Sequence, residues 1–453
     1  MLQERFKKEL ITTIKLSLPI IIAQLGVVLM GVSDNIMVGR LIGKVALGAA
    51  GVANSIAFLI SSLAVGGMSV VAPMVSKCFA ENNKNGIRTL YGSTIWVTII
   101  YSIILSIVGL LSVYFFNIFQ QPAIINETSP PFLIIILIAN LPLYFFISLK
   151  QFSDGLSNPK TAMYITAIGL VTNIIGNYFL ISGFGNFAGW GLMGAAYATL
   201  ITRIIMLILL IIVLRYKSEF RTYFRKINFS IDKGLIKEIL ARSVPGGAQF
   251  FFEIAAFSFA VIMMGWIGET ALAAHQIAIN IASTTYMMAT GISFAGGIRV
   301  GEAWGRKSPR GIRVAGFAAY FLVFSFMLIS MILILVFDRF LLSIYISDSE
   351  VINMAIPLLT IAAIFQLSDG IQVVGLGVLR GLADITIPTI ITFVSYWVLA
   401  LPLGYFLGFK FGFGPEGIWL GLLVGLTVSA LMLYFRFKNL ISLEKLKIRF
   451  FVK

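Results

Sequence analysis

Twelve apolar runs, each longer than 20 residues, follow one another along this 453-residue chain: 11–38, 46–76, 88–116, 131–153, 161–183, 188–214, 237–266, 271–300, 311–337, 353–379, 386–409 and 415–437. A bilayer core about 30 Å thick is crossed by about 20 apolar residues of helix. Inside it a segment must satisfy its own backbone N–H and C=O groups, which leaves helices and closed barrels. A barrel would show alternating stretches of about ten residues, and the sequence has none. The expected fold class is an all-α polytopic membrane protein with twelve transmembrane helices. Composition agrees, because only 12% of residues are charged and 59% are hydrophobic, whereas about a quarter are charged in soluble domains.

The two halves repeat each other at an offset of about 225 residues. Ile42-Gly43-Lys44-Val45-Ala46-Leu47-Gly48-Ala49 aligns with Ile267-Gly268-Glu269-Thr270-Ala271-Leu272-Ala273-Ala274. Ser17-Leu18-Pro19 aligns with Ser243-Val244-Pro245, Gln24 with Gln249, Gly66 with Gly291, and Gly155-Leu156 with Gly381-Leu382. A duplicated helical unit in a membrane protein implies two bundles with a substrate path between them. The expected organisation is a six-helix lobe over 1–214, a basic cytoplasmic linker over 215–236, and a second six-helix lobe with a cytoplasmic tail over 237–453. An even number of spans per half makes the repeats parallel.

Charge placement sets the expected orientation. Twenty-nine of the 34 lysines and arginines fall in the termini and even-numbered loops, four in the opposite loops, and Arg203 inside span six. By the positive-inside rule both termini are cytoplasmic. The net charge of +15 is thus a topology signal and implies no nucleic-acid partner. The single cysteine, Cys78, excludes an internal disulfide. The single histidine, His275, leaves little room for histidine-based metal or Ser-His-Asp chemistry, and it is expected to be interfacial and structural. No G-x-x-x-x-G-K-[ST] loop occurs, so active transport would draw on an ion gradient. Neither a cofactor nor enzymatic activity is expected.

Carboxylates inside spans are few. Asp34 lies late in span one, Glu253 near the middle of span seven, Asp369 near the middle of span ten, and Asp154 and Glu302 near cytoplasmic ends. A charge at bilayer depth costs about 2.5–3.5 kcal/mol on insertion scales, so such groups face a cavity or a partner. The acids break the repeat, since the counterparts of Asp34 and Glu253 are apolar. Asn173 and Asn177 share one face of span five and can reach Asp34 across an interface, or act as interhelical glue. Pro19 and Pro245 hold matching places in spans one and seven, where proline removes a backbone hydrogen bond and leaves a kink or a hinge.

These residues resemble a known family. Ser33-Asp34-Asn35-Ile36-Met37-Val38-Gly39 followed by Ala46-Leu47-Gly48-Ala49-Ala50-Gly51 is similar to the first-helix signature of the MATE (multidrug and toxic compound extrusion) transporters. Ser243-Val244-Pro245 through Glu253, and Ala271-Leu272-Ala273-Ala274-His275-Gln276-Ile277, resemble helices seven and eight of the NorM-like branch. Asp369-Gly370-Ile371-Gln372 with Gly375, Gly377 and Leu379-Arg380-Gly381 resembles the tenth-helix motif. The resemblance implies two six-helix lobes around a cleft, and export of amphipathic or cationic organic compounds in exchange for Na⁺ or H⁺ by rocking-type alternating access. It implies Glu253, Asp369 and Tyr286 as the cation-coupling site, with the two carboxylates as Na⁺ ligands. It further implies Asp34, Asn173, Asn177 and Asp154 as a first-lobe polar network, and Pro19 as a bending point; Pro245 is its counterpart in the repeat. The expected setting is a bacterial inner membrane, the partners small-molecule drugs and the lipid bilayer, and the state a monomer. A lipid-linked precursor flippase of the same superfamily is the alternative, and Arg203 as the one base well inside a span argues against its anionic cargo.

Overall fold

The computed structural model describes residues 2–119, 121–185, 188–224, 231–346 and 348–442. The first half contributes α1 (Leu2–Leu41), α2 (Lys44–Met68), α3 (Val71–Ala80), α4 (Lys84–Tyr114), α5 (Ala123–Gly155), α6 (Lys160–Ser182) and α7 (Gly191–Tyr216), then a short α8 (Ser218–Phe224). The second contributes α9 (Lys233–Ile267), α10 (Glu269–Gly305), α11 (Pro309–Val336), α12 (Asp338–Tyr345), α13 (Ser349–Gly381), α14 (Thr386–Phe393), α15 (Leu401–Tyr405) and α16 (Gly414–Leu440). Every expected span is helical, so the chain is an all-helical, multi-span membrane protein. Helix α8 occupies part of the expected linker; linker residues 225–230 and tail residues 443–453 lie outside the described residues.

Among the described residues eleven helices are long and apolar enough to cross a membrane. The twelfth, α10, is long enough at 37 residues but is not among them. It carries His275, Gln276, Asn280, Thr285, Arg299 and Glu302, and packs along α13 and α11. A helix screened from lipid by its neighbours needs less apolar surface of its own. Elsewhere the outward faces are apolar: Ile104, Ile107 and Leu111 of α4, and Phe321, Ile332 and Val336 of α11, are each more than 45% exposed. Surfaces of that kind are stable against hydrocarbon and not against water.

The chain forms two compact units, Ile22–Gly247, and Met1–Ile21 together with Ala248–Lys453. This division crosses the sequence halves, because α1 and α9 each belong to both units. The change-over falls at Ile21/Ile22 in α1 and at Gly247/Ala248 in α9, within three residues of Pro19 and Pro245. Side-chain contacts agree: Arg299 donates to Glu9 from Nε at 2.6 Å and from Nη2 at 2.9 Å, whereas a Cβ at Gly26 would meet Thr166 of α6. A Cβ at Gly247 would lie 2.5 Å from the Leu63 carbonyl of α2.

The repeat is visible in the backbone. Left-handed conformations at Asn82 and Ser157 (φ 54° and 60°) return at Lys307 and Ala383 (φ 49° and 58°). The N-cap of α4, Asn83 accepting from Gly86 N, returns at α11 as Ser308 accepting from Gly311 N. Both satisfy an otherwise orphaned donor of the first turn. The close approach of Gly155 to Ala72 and Val75 is repeated by Gly381 against Gly297 and Val300. The halves differ over 386–410, where the eleventh span runs through two π-helical segments, Val394–Ala400 and Phe406–Lys410. Gly404 and Gly408 there lie against Gly417 and Gly421 of α16, the small-residue spacing that lets membrane helices meet backbone to backbone.

Candidate functional site

In the unit Ile22–Gly247, α1 delivers Asp34 to α6 and α7. Asn177 Nδ2 donates to Asp34 Oδ1 at 2.5 Å and Thr199 Oγ1 to Oδ2 at 3.2 Å. The Asn177 amide also lies 3.5 Å from Asn173 Oδ1, one turn back on α6. Asn173 and Asn177 are fully buried, so each needs such partners. Arg203, one turn beyond Thr199 on α7, donates from Nη1 to Asn140 Oδ1 at 2.5 Å. Asn140 Nδ2 donates to Ser61 Oγ at 2.9 Å, and Ser61 shares a 3.3 Å hydrogen bond with Tyr144. The acid of this unit therefore has a guanidinium in its neighbourhood, and the charge of Arg203 acts on Asp34.

Asp154 stands apart from this cluster. It sits at the end of α5, buried, and pairs with Lys150 Nζ at 2.7 Å. Asn140, the α5 member of the network, is fourteen residues earlier, about 21 Å along the helix at 1.5 Å per residue. Glu302 is likewise tied to bases near in sequence, Arg299 of α10 and Arg306 just past its end.

In the other unit, α9, α10 and α13 bring Glu253, Tyr286 and Asp369 together. Glu253 is 3% and Asp369 4% exposed. Tyr286 OH donates to Glu253 Oε1 at 3.1 Å, and Gln249 Nε2 donates to Oε2 at 3.2 Å. The charge of Glu253 acts on Asp369, and the charges of both act on Tyr286 and Tyr396. Two buried carboxylates within electrostatic reach repel when ionised, and a bound cation relieves that repulsion. Gln372 Nε2 donates to Tyr396 OH at 2.8 Å, and Trp397 Nε1 donates to the Phe252 carbonyl at 3.0 Å. The first π-helical segment thus presents two aromatic residues to the helices that carry the carboxylates. Single π turns inside α-helices recur at functional sites.

One sequence expectation is corrected here. Arg380, counted among the cytoplasmic loop bases, is buried inside α13 with its guanidinium carbon 5.5 Å from the Phe250 ring centroid and its Nη2 donating to Gln249. It stands one residue before the C-terminal end of α13. His275 is fully buried, its ring 5.4 Å from that of Trp419. The helix start at Glu269 places it two turns inside α10, and neither ring nitrogen has a hydrogen-bond partner among the described residues. Thr199, Tyr396 and Gln249 went unnoticed as site residues because neutral polar side chains are common in membrane helices. The alignment of Gln24 with Gln249 is the one sequence signal that pointed to any of them.

Comparison with known proteins places the chain in a family. The MatE family model matches the chain twice, over residues 19–179 and 245–406, each match beginning at one of the paired prolines. A probable multidrug resistance protein NorM of Brucella suis is 33% identical over 443 residues, spanning 96% of this chain and 94% of its own length. Multidrug resistance protein MdtK of Photorhabdus laumondii is 32% identical, with 96% of each chain covered. Among solved structures, the eukaryotic MATE transporter AtDTX14 superposes with a TM-score of 0.89 over 98% of this chain and 99% of that one, at 18% identity. A MATE in the bent conformation does so with 0.88 over 98% of each, at 20% identity. Family model, full-length relatives and fold agree: this chain belongs to the MATE family of membrane transporters.

Proposed function

We propose that this chain is a secondary antiporter that exports amphipathic or cationic organic compounds in exchange for Na⁺, by rocking-type alternating access. The observation that carries this reading is the buried carboxylate pair Glu253 and Asp369 with Tyr286. Na⁺ is a hard ion that prefers oxygen ligands, and two carboxylates with a phenol oxygen and water supply them. Occupation of the pair by the cation disfavours bound substrate, and release on the other side resets it. The multidrug names of relatives about one-third identical support the cargo class. Asp34, Asn173 and Asn177 form the polar network of the other unit, and Pro19 and Pro245 act as hinges. The chain sits in a bacterial inner membrane as a monomer with both termini in the cytoplasm.

The test is ethidium efflux from proteoliposomes under an imposed Na⁺ gradient and, separately, under a pH gradient, for the wild type and Asp369→Asn. Efflux driven by Na⁺ and lost in the variant is the expected result. Efflux driven only by the pH gradient makes H⁺ the coupling ion. No efflux under either gradient overturns the reading and moves the search to lipid-linked cargo.

A further inference from the structure

Arg380 holds a place that the charge pattern does not account for, and its charge acts on Glu253 of the carboxylate pair. It lies eleven residues beyond Asp369 on α13, three turns and about 16 Å along nearly the same stripe. Its guanidinium is buried, packed against Phe250 and bonded to Gln249. The matching position of the other half is Asp154, paired with Lys150 of its own helix, so the repeat alone does not require a base here.

The chemistry of the contact fixes the direction of the Gln249 amide. A guanidinium has donors and no acceptor, so the oxygen of Gln249 must face Arg380. The NH₂ of the same amide then faces Glu253, where Nε2 donates to Oε2 at 3.2 Å. Gln249 is 2% exposed, so water does not compete for either end. Arg380 thereby keeps one oxygen of Glu253 occupied by a donor and keeps the Gln249 oxygen away from the carboxylates. A free glutamine at this position could turn over and offer that oxygen to a cation.

We infer that Arg380 is a positioning residue which, through Gln249, weakens the hold of the Glu253–Asp369 pair on Na⁺ and so sets the Na⁺ concentration at which the site fills. This rests on the proposed reading of the pair as the cation site. Its consequence is functional, because an antiporter must release its ion as well as bind it, and a pair of buried carboxylates left unopposed holds a cation too long.

The experiment measures the midpoint of Na⁺-dependent tryptophan fluorescence of the purified full-length protein in detergent, at fixed pH, with NaCl replacing choline chloride. Trp397, bonded to the carbonyl next to Glu253, is the local reporter. Arg380→Met and Gln249→Leu are each expected to lower the midpoint about tenfold, the worth of one hydrogen bond to a charged group. Combining them is expected to add little to either, since both break one linkage. Arg380→Lys retains a donor-only cation and is expected to stay near the wild-type midpoint; it is also the folded control if Arg380→Met fails to fold, in which case Gln249→Leu is decisive. Midpoints of the folded variants that are unchanged or raised, or effects that add in full, overturn the inference while leaving the cation site standing. A wild type with no response to Na⁺ removes the Na⁺ site and this inference together, and the gradient experiment above then decides separately whether export is proton-driven.

Discussion

Replacing Gly381 by alanine tests whether the carboxylate-bearing helix is held in place by backbone-to-backbone packing. A Cβ built at Gly381 lies 2.6 Å from the Gly297 carbonyl oxygen, 2.8 Å from Val300 Cβ and 2.9 Å from Val300 Cγ1. The first distance is about 0.8 Å short of the 3.4 Å at which ordinary van der Waals contact begins. The obstacle is a main-chain oxygen of α10 and not the end of a flexible side chain, so α13 itself must move away. Overpacking of this kind costs about 1–3 kcal/mol, against which the better helix propensity of alanine returns about 0.5–1 kcal/mol. The expected outcome is a net loss of about 1–2 kcal/mol, read as a lower melting temperature in detergent. Gly155→Ala, where a Cβ meets the Ala72 oxygen at 2.6 Å and Val75 Cβ at 2.7 Å, is expected to lose a similar amount. Gly265→Ala, which meets nothing within 4 Å, is expected to be neutral or stabilising. If Gly381→Ala or Gly155→Ala melts at or above the wild type, the packing argument is wrong at both repeats.

Three further predictions concern single groups. Asp34→Ala removes the acceptor for Asn177 and Thr199; with Asn177 fully buried, a loss of about 1–3 kcal/mol is expected in thermal unfolding, while Val32→Ala on the exposed side of α1 is expected to be near neutral. Pro19→Ala and Pro245→Ala restore one helical hydrogen bond each, at the change-over points of α1 and α9; melting temperature is expected to hold or rise while ethidium efflux falls, and undiminished efflux in both would remove the hinge role. His275→Leu replaces a buried ring whose nitrogens have no partner among the described residues; stability is expected to be unchanged or improved, and a clear loss by the same assay would show that the imidazole is hydrogen-bonded.

Helices, their order and their duplication were legible because lipid imposes one rule on every span: cover the backbone by helix and the outside by apolar side chains. The same rule made Asp34, Glu253 and Asp369 conspicuous, since a carboxylate at depth has a cost that demands a reason. Arg380 escaped notice because a base near the end of an apolar run looks like a topology residue; only the continuation of α13 to Gly381 and the packing of Phe250 show it buried. Gln249 and Thr199 have no charge, so nothing in the sequence separates them from ordinary interhelical glue. Asp154 joins Asp34 only through the family resemblance, and its place at the far end of α5 gives it to Lys150. The π-helical segments depend on which carbonyl each N–H chooses, a choice invisible in the pattern of apolar residues.

The sharing of α1 and α9 between the two units bears on how the polypeptide is made. One unit is a single stretch, Ile22–Gly247, and is complete once the first turns of α9 have been inserted. The other joins the first 21 residues to everything after Gly247, so the leading end of the chain waits without its final neighbours until α10 and α11 have been synthesised. A fragment ending in the connector after α8 lacks the α9 segment that closes the earlier unit, and a fragment starting there lacks Glu9, the partner of Arg299. The boundary between the duplicated halves is therefore not the boundary between the compact units; each half begins with a helix whose opening turns complete the other unit.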